Sequence, residues 1–122
     1  MLGSWLDCAG DVKLLTSPFE HVIIENFFDD SVAEEILREF PVPEAAHEWK
    51  FYHNPIEYKA TLNNFKNLPY TTKVYDYLQS NEFVDILKKI SNIENLEVDP
   101  NLHGAGLHAS PVGGKIDLHL DY

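Results

Sequence analysis

Apolar positions along the chain fall first in a continuous run, then at helical spacing, and last in alternation. Phe19–Phe28 (FEHVIIENFF) is dense in β-branched and aromatic residues and predicts a buried strand. After Asp29-Asp30, the residues Val32, Ile36, Leu37 and Phe40 recur at helical spacing, which predicts a helix that Pro41 and Pro43 end. Ser31 and Glu34 have the spacing of a capping box at its start. His47–His53 (HEWKFYH) predicts an aromatic strand, Asn54-Pro55 a turn and Asn63–Pro69 a loop. Thr71–Leu78 predicts a short helix with Val74, Tyr77 and Leu78 inward, and Ser80 predicts the cap of a further helix striped by Phe83, Val84, Ile86, Leu87 and Ile90. Gly104–His108 predicts a short strand, Gly113-Gly114 a turn, and Lys115–Tyr122 a terminal strand. Alternation along that strand puts Lys115, Asp117, His119 and Asp121 on one side. Ile116, Leu118, Leu120 and Tyr122 then form an apolar side able to pack against the helices. Helices precede the later strands, an α+β pattern.

Size and charge narrow the possible classes. A chain of 122 residues holds one domain at most, and 44% hydrophobic residues suffice for a core. Residues 1–17 show no clear period and stay unassigned, so the predicted domain spans 18–122. Net charge is −11, and the densest basic pair is Lys88-Lys89, so the chain would repel a phosphate backbone and no nucleic-acid partner is expected. Cys8 stands alone, which rules out an internal disulfide and leaves a thiol with no histidine near it in sequence. Met1–Gly10 lacks the basic start and apolar run of a signal peptide. No window approaches the ~18 apolar residues of a membrane span. The chain therefore reads as soluble and cytoplasmic, with no membrane partner.

The terminal strand carries the chemistry. His119-x-Asp121 on one strand face supplies two of the three ligands of a 2-His-1-carboxylate iron site. His-x-Asp alone recurs by chance in roughly one chain of this size in ten, so its surroundings carry the argument. His108 reads as a loop or strand histidine, with a cavity-lining role as the alternative, and His103 as a loop residue. The gaps of four and ten residues separating His103, His108 and His119 match no common structural zinc site. Asp117 and Lys115 read as surface charges, Lys115 with an alternative place at a substrate entrance. Trp49, Phe51 and Tyr52 read as core, with a substrate wall as the alternative. Gly104, Gly106, Gly113 and Gly114 serve turns and close strand approach; no Lys-Ser/Thr follows them to make a phosphate loop.

The segment GAGLHASPVGGKIDLHLDY, residues 104–122, resembles the first metal-binding strand of the Fe(II)- and 2-oxoglutarate-dependent dioxygenases, in their prolyl 4-hydroxylase-like branch. Phe19–Phe28 resembles that branch's opening strand. Trp49, Tyr52 and Asn54–Lys59 resemble its middle segment, and Leu68-Pro69 and the helix over 80–90 also fit. The resemblance implies an α+β fold: N-terminal helices and the first strands of a double-stranded β-helix, or jelly-roll, whose barrel is incomplete within these residues. It implies His119 and Asp121 as the first two iron ligands. The distal His, and the basic residue that pairs with the far carboxylate of 2-oxoglutarate, would lie beyond Tyr122. The implied activity is hydroxylation of a C–H bond with decarboxylation of 2-oxoglutarate to succinate, using Fe(II) and O2, with ascorbate as an accessory reductant. The substrate would be a peptide, an amino acid or a small molecule. On this reading the chain is the N-terminal portion of the enzyme and is inactive alone. Two other readings stand beside it: a noncatalytic binding module on a degenerate jelly-roll scaffold, and a metalloprotein of the cupin kind.

Overall fold

The computed structural model describes residues 12–43 and 48–120. Among the described residues the elements run α1 (Asp30–Glu39), β1 (Lys50–His53), β2 (Glu57–Leu62), α2 (Pro69–Leu78), α3 (Asn81–Ser91), β3 (Leu107–Ala109) and β4 (Lys115–Ile116). The class is α+β, with three helices and an open antiparallel sheet of four strands among the described residues. No helix among them is long and apolar enough to cross a membrane. The chain divides into two compact units, one bounded by Met1–Phe40 and Leu68–Pro100 and the other by Pro41–Asn67 and Asn101–Tyr122.

The first unit holds the helices, joined end to end by polar side chains. α1 starts one residue earlier than the predicted cap. Asp29 is its N-cap and accepts the first helical bond from the Val32 amide at 2.9 Å, which leaves Ser31 inside the first turn. At the other end of α1, the Glu39 carboxylate accepts from the Thr71 amide and, at 3.2 Å, from the Tyr70 amide. These are orphan donors of the first turn of α2, where Pro69 begins the helix and a negative charge is favoured. Ser80 behaves as predicted. Its hydroxyl donates to the Tyr77 carbonyl at 2.6 Å and accepts from the Phe83 amide at 3.2 Å, closing α2 and opening α3 with one side chain. Asn92 ends α3 in the left-handed conformation at φ 57°. Ser80→Ala is expected to cost about 1 kcal/mol, read from the shift of a urea unfolding midpoint.

Leu68, Thr71, Val74 and Phe83 are buried in this unit. Phe27 meets Phe28 and Phe83 edge to face at ring separations of 4.8 and 5.9 Å, and Tyr77 lies 5.4 Å from Phe83. Burial, and then the negative charge of Glu82, push the Tyr77 hydroxyl above its ordinary pKa. The strand predicted over Phe19–Phe28 does not form. The segment carries only isolated bridge positions, His21 (antiparallel with Leu15) and Phe28, and Glu25-Asn26 is a turn with Asn26 at φ 52°. That left-handed residue turns the chain so that Phe27 and Phe28 join the helical cluster, while Phe19 and Ile23 stay exposed.

The second unit is the sheet. Its hairpin turn is set by Asn54, whose side-chain oxygen accepts from the amides of Ile56 and Glu57, both at 2.9 Å. β2 is central: it pairs antiparallel with β1 on one edge, and with both β3 and β4 on the other. Ala109 stands opposite Ala60, and Lys115 opposite Tyr58. β3 and β4 are thus two pieces of one edge strand, interrupted by residues 110–114. Gly106 leads into β3 at φ +152°. A Cβ there would stand 2.5 Å from the Leu62 carbonyl oxygen, so a glycine is what lets the two backbones meet.

Candidate functional site

Pleating sorts the sheet into two faces. Tyr58, Ala60 and Leu62 of β2 point to one, where Ala60 and Leu62 are buried. Glu57, Lys59 and Thr61 point to the other. Their cross-strand partners there are Tyr52 opposite Lys59, Lys50 and His108 opposite Thr61, and Ile116 opposite Glu57. This second face is the wall of an open cleft of about 880 Å³, completed by the loop residues Leu102, His103, Gly104 and Ala105 and by His119 and Leu120.

The cleft carries an electrostatic balance unlike that of the chain. Among the described residues, Lys50 and Lys59 line it together with the carboxylate of Glu57, within a protein whose net charge is −11. Lys59 Nζ sits 3.1 Å from Glu57 Oε1 and 5.6 Å from the centre of the Tyr52 ring, so its charge is held in place by an anion and an aromatic face. His103, His108 and His119 line the same cleft. The sequence singles out His108 with a cavity-lining alternative, and that alternative is where the structure places it.

The terminal segment departs from the predicted strand. β4 ends at Ile116, and the last sheet-like bond runs from the Asp117 amide to the Ile56 carbonyl at 2.9 Å. The chain bends at Leu118, so alternation does not carry past the end of the pairing. Lys115, opposite Tyr58, lies on the face away from the cleft, whereas His119 lines the cleft together with Ile116 and Leu120. The predicted division into a polar and an apolar side therefore fails. So does the predicted packing of the apolar side on helices, since Leu118 is 103% exposed and Leu120 72%.

His119 is held by its own backbone. Nδ1 lies 2.8 Å from the Asp117 carbonyl oxygen. A carbonyl only accepts, so Nδ1 carries the proton and Nε2 carries the lone pair of the neutral ring. Metal-ligating histidines commonly show this arrangement, with one ring nitrogen donating to a carbonyl and the other facing the ion. The donor chemistry at His119 thus suits a metal. Asp121, the other predicted ligand, lies outside the described residues. Among the described residues no group of three His, Cys, Asp or Glu side chains is placed to hold a metal ion.

Lys50, Glu57, Lys59 and Thr61 complete the cleft wall, and none was a candidate from the sequence. The signal that marks them is the alternation of Glu57–Leu62 (EYKATL), polar on one face and mainly apolar on the other. No family model, no curated protein and no solved structure matches the chain.

Proposed function

We propose that the chain contributes the first metal-binding segment of an Fe(II)- and 2-oxoglutarate-dependent dioxygenase of the prolyl 4-hydroxylase-like branch, built on the first strands of a jelly-roll. The observation that carries this reading is the His119 ring, placed on the wall of a cleft with Nδ1 committed to the Asp117 carbonyl. The open antiparallel sheet, with a single strand paired on both edges, is compatible with the beginning of such a barrel. His119 Nε2 and the Asp121 carboxylate would hold the iron, and the distal His and basic residue would come from beyond residues 1–122. Iron bound there supplies the oxidative decarboxylation of 2-oxoglutarate to succinate and the oxidation of a substrate C–H bond. The chain's own part is positional. Asp117 sets the tautomer of the ligand, and the cations Lys50 and Lys59 favour an anionic occupant of the cleft.

The test is succinate formation from 2-oxoglutarate by the full-length protein with Fe(II), abolished by a chelator and restored by iron. A second reading is a noncatalytic binding module on a degenerate jelly-roll scaffold. It predicts a folded protein that neither consumes 2-oxoglutarate nor binds Fe(II).

A further inference from the structure

We infer that the cleft takes its ligand by a single carboxylate, held across three strands by Lys50, Thr61 and His108. That the carboxylate belongs to the substrate rests on the iron reading; the carboxylate site itself does not.

The sheet register builds the site. Lys50 stands opposite Thr61, and Thr61 opposite His108, so one residue from each of β1, β2 and β3 falls in a single row on the cleft face. Neighbouring strands lie about 4.8 Å apart, which spreads the three over about 10 Å. A carboxylate set over the central hydroxyl is then within reach of the lysine arm on one side and the imidazole on the other. All three can donate, through an ammonium, a hydroxyl and a ring N–H. Among the described residues none of these side chains is engaged in a hydrogen bond or ion pair, so a ligand displaces no partner. The next cation on the face is already spent. Lys59 lies 3.1 Å from the Glu57 carboxylate and over the Tyr52 ring. Glu57 therefore offsets Lys59, and with the histidines neutral Lys50 leaves the described wall with one net positive charge. That charge suits a monoanion. A phosphate dianion would keep a negative charge uncompensated inside a protein of net charge −11. The face turns apolar further along β2, where Ile116 stands opposite Glu57, about 13 Å from Thr61 along the strand. A ligand anchored at the row lies along β2 with an uncharged body toward Ile116. A free carboxylic acid and an acidic side chain of a peptide both supply the required group.

The experiment is a titration of the metal-free full-length protein with acetate, at a pH where histidine is neutral, followed by the NMR signals of the Thr61 methyl and the His108 ring. Both should move together and saturate. Lys50→Met and Thr61→Val should each weaken binding about fivefold, the upper end for an exposed ion pair and the usual effect of one hydrogen bond. Lys50→Arg should keep it. Methyl phosphate, a dianion at this pH, should bind the wild type more weakly than acetate does. Glu57→Gln, which releases the charge of Lys59, should reverse that order. Hexanoate and a blocked peptide with one central Glu separate the two sources of the group: tighter binding of the acid assigns a small-molecule ligand, and tighter binding of the peptide assigns a protein segment. Signals that stay in place, or that move equally in Lys50→Met, overturn the inference, as does a wild-type preference for methyl phosphate. A raised KM for 2-oxoglutarate in Lys50→Met would give the row to the cosubstrate and overturn its assignment to the substrate. Acetate binding as expected in a protein that forms no succinate leaves the carboxylate site standing and removes the iron reading instead.

Discussion

Replacing His119 by Ala is expected to abolish succinate production and Fe(II) binding by the full-length protein, while His103→Ala and His108→Ala leave iron binding in place. The three histidines share one cleft, so proximity to it does not separate them. What marks His119 is its place two residues before Asp121 and the bond from its Nδ1 to the Asp117 carbonyl. Loss of a group that merely orients a ligand weakens metal binding by about 10–100-fold, and loss of the ligand itself must exceed that. On the proposed reading activity would fall with occupancy, because bound iron would supply the oxidative chemistry. Isothermal titration with Fe(II) under nitrogen, paired with succinate quantification, reads both effects. Retained turnover in His119→Ala would remove the proposed function, and equal loss in His108→Ala would move the site to the cleft wall.

Leu62→Ala should be the most damaging core substitution in the sheet, at about 3 kcal/mol. Leu62 ends the central strand at 1% exposure and is in register with Leu107. Its carbonyl oxygen is also the atom that Gly106 approaches, so the side chain and backbone of one residue hold the entry to β3. Truncation removes the buried methyl groups, and the space cannot collapse while the two backbones remain paired. Urea unfolding should report the loss as a lower midpoint. Leu62→Met conserves volume and should lose less than about 1.5 kcal/mol. Equal losses from the two variants would show that the site is not tightly packed.

The helices were legible because each carries its own instructions. The stripe from Phe83 to Ile90 and the Ser80 hydroxyl are local signals, and tertiary contacts did not override them. Phe19–Phe28 misled because density of β-branched residues shows only that a segment suits a strand, and a strand also needs an edge to pair with. The position of Asp29, which already offers the first helical carbonyl, displaced the Ser31–Glu34 capping box. The candidate site was legible as residue types and not as directions. His119 was singled out by its spacing to Asp121, but the side of the sheet it occupies was not legible. Period two holds only while backbone pairing enforces it, and pairing stops at Ile116. Lys50 and Lys59 were invisible individually, because surface lysines on edge and central strands look alike until the register puts them on one face.

The interrupted edge strand makes the separation between His108 and His119 elastic. Ala109 and Lys115 are each fixed by their partners on β2, only two residues apart there, and everything from 110 to 114 bulges out between them with Val112 fully exposed at its tip. The face on which His108 and Ile116 appear is dictated by β2 and not by how many residues the excursion contains. Residues can therefore be gained or lost at Val112 without moving either end, and related chains would keep the same cleft at different spacings. A search that demands a fixed interval between the two histidines would pass over them. One that anchors His108 and Ile116 separately to the alternating EYKATL strand would not.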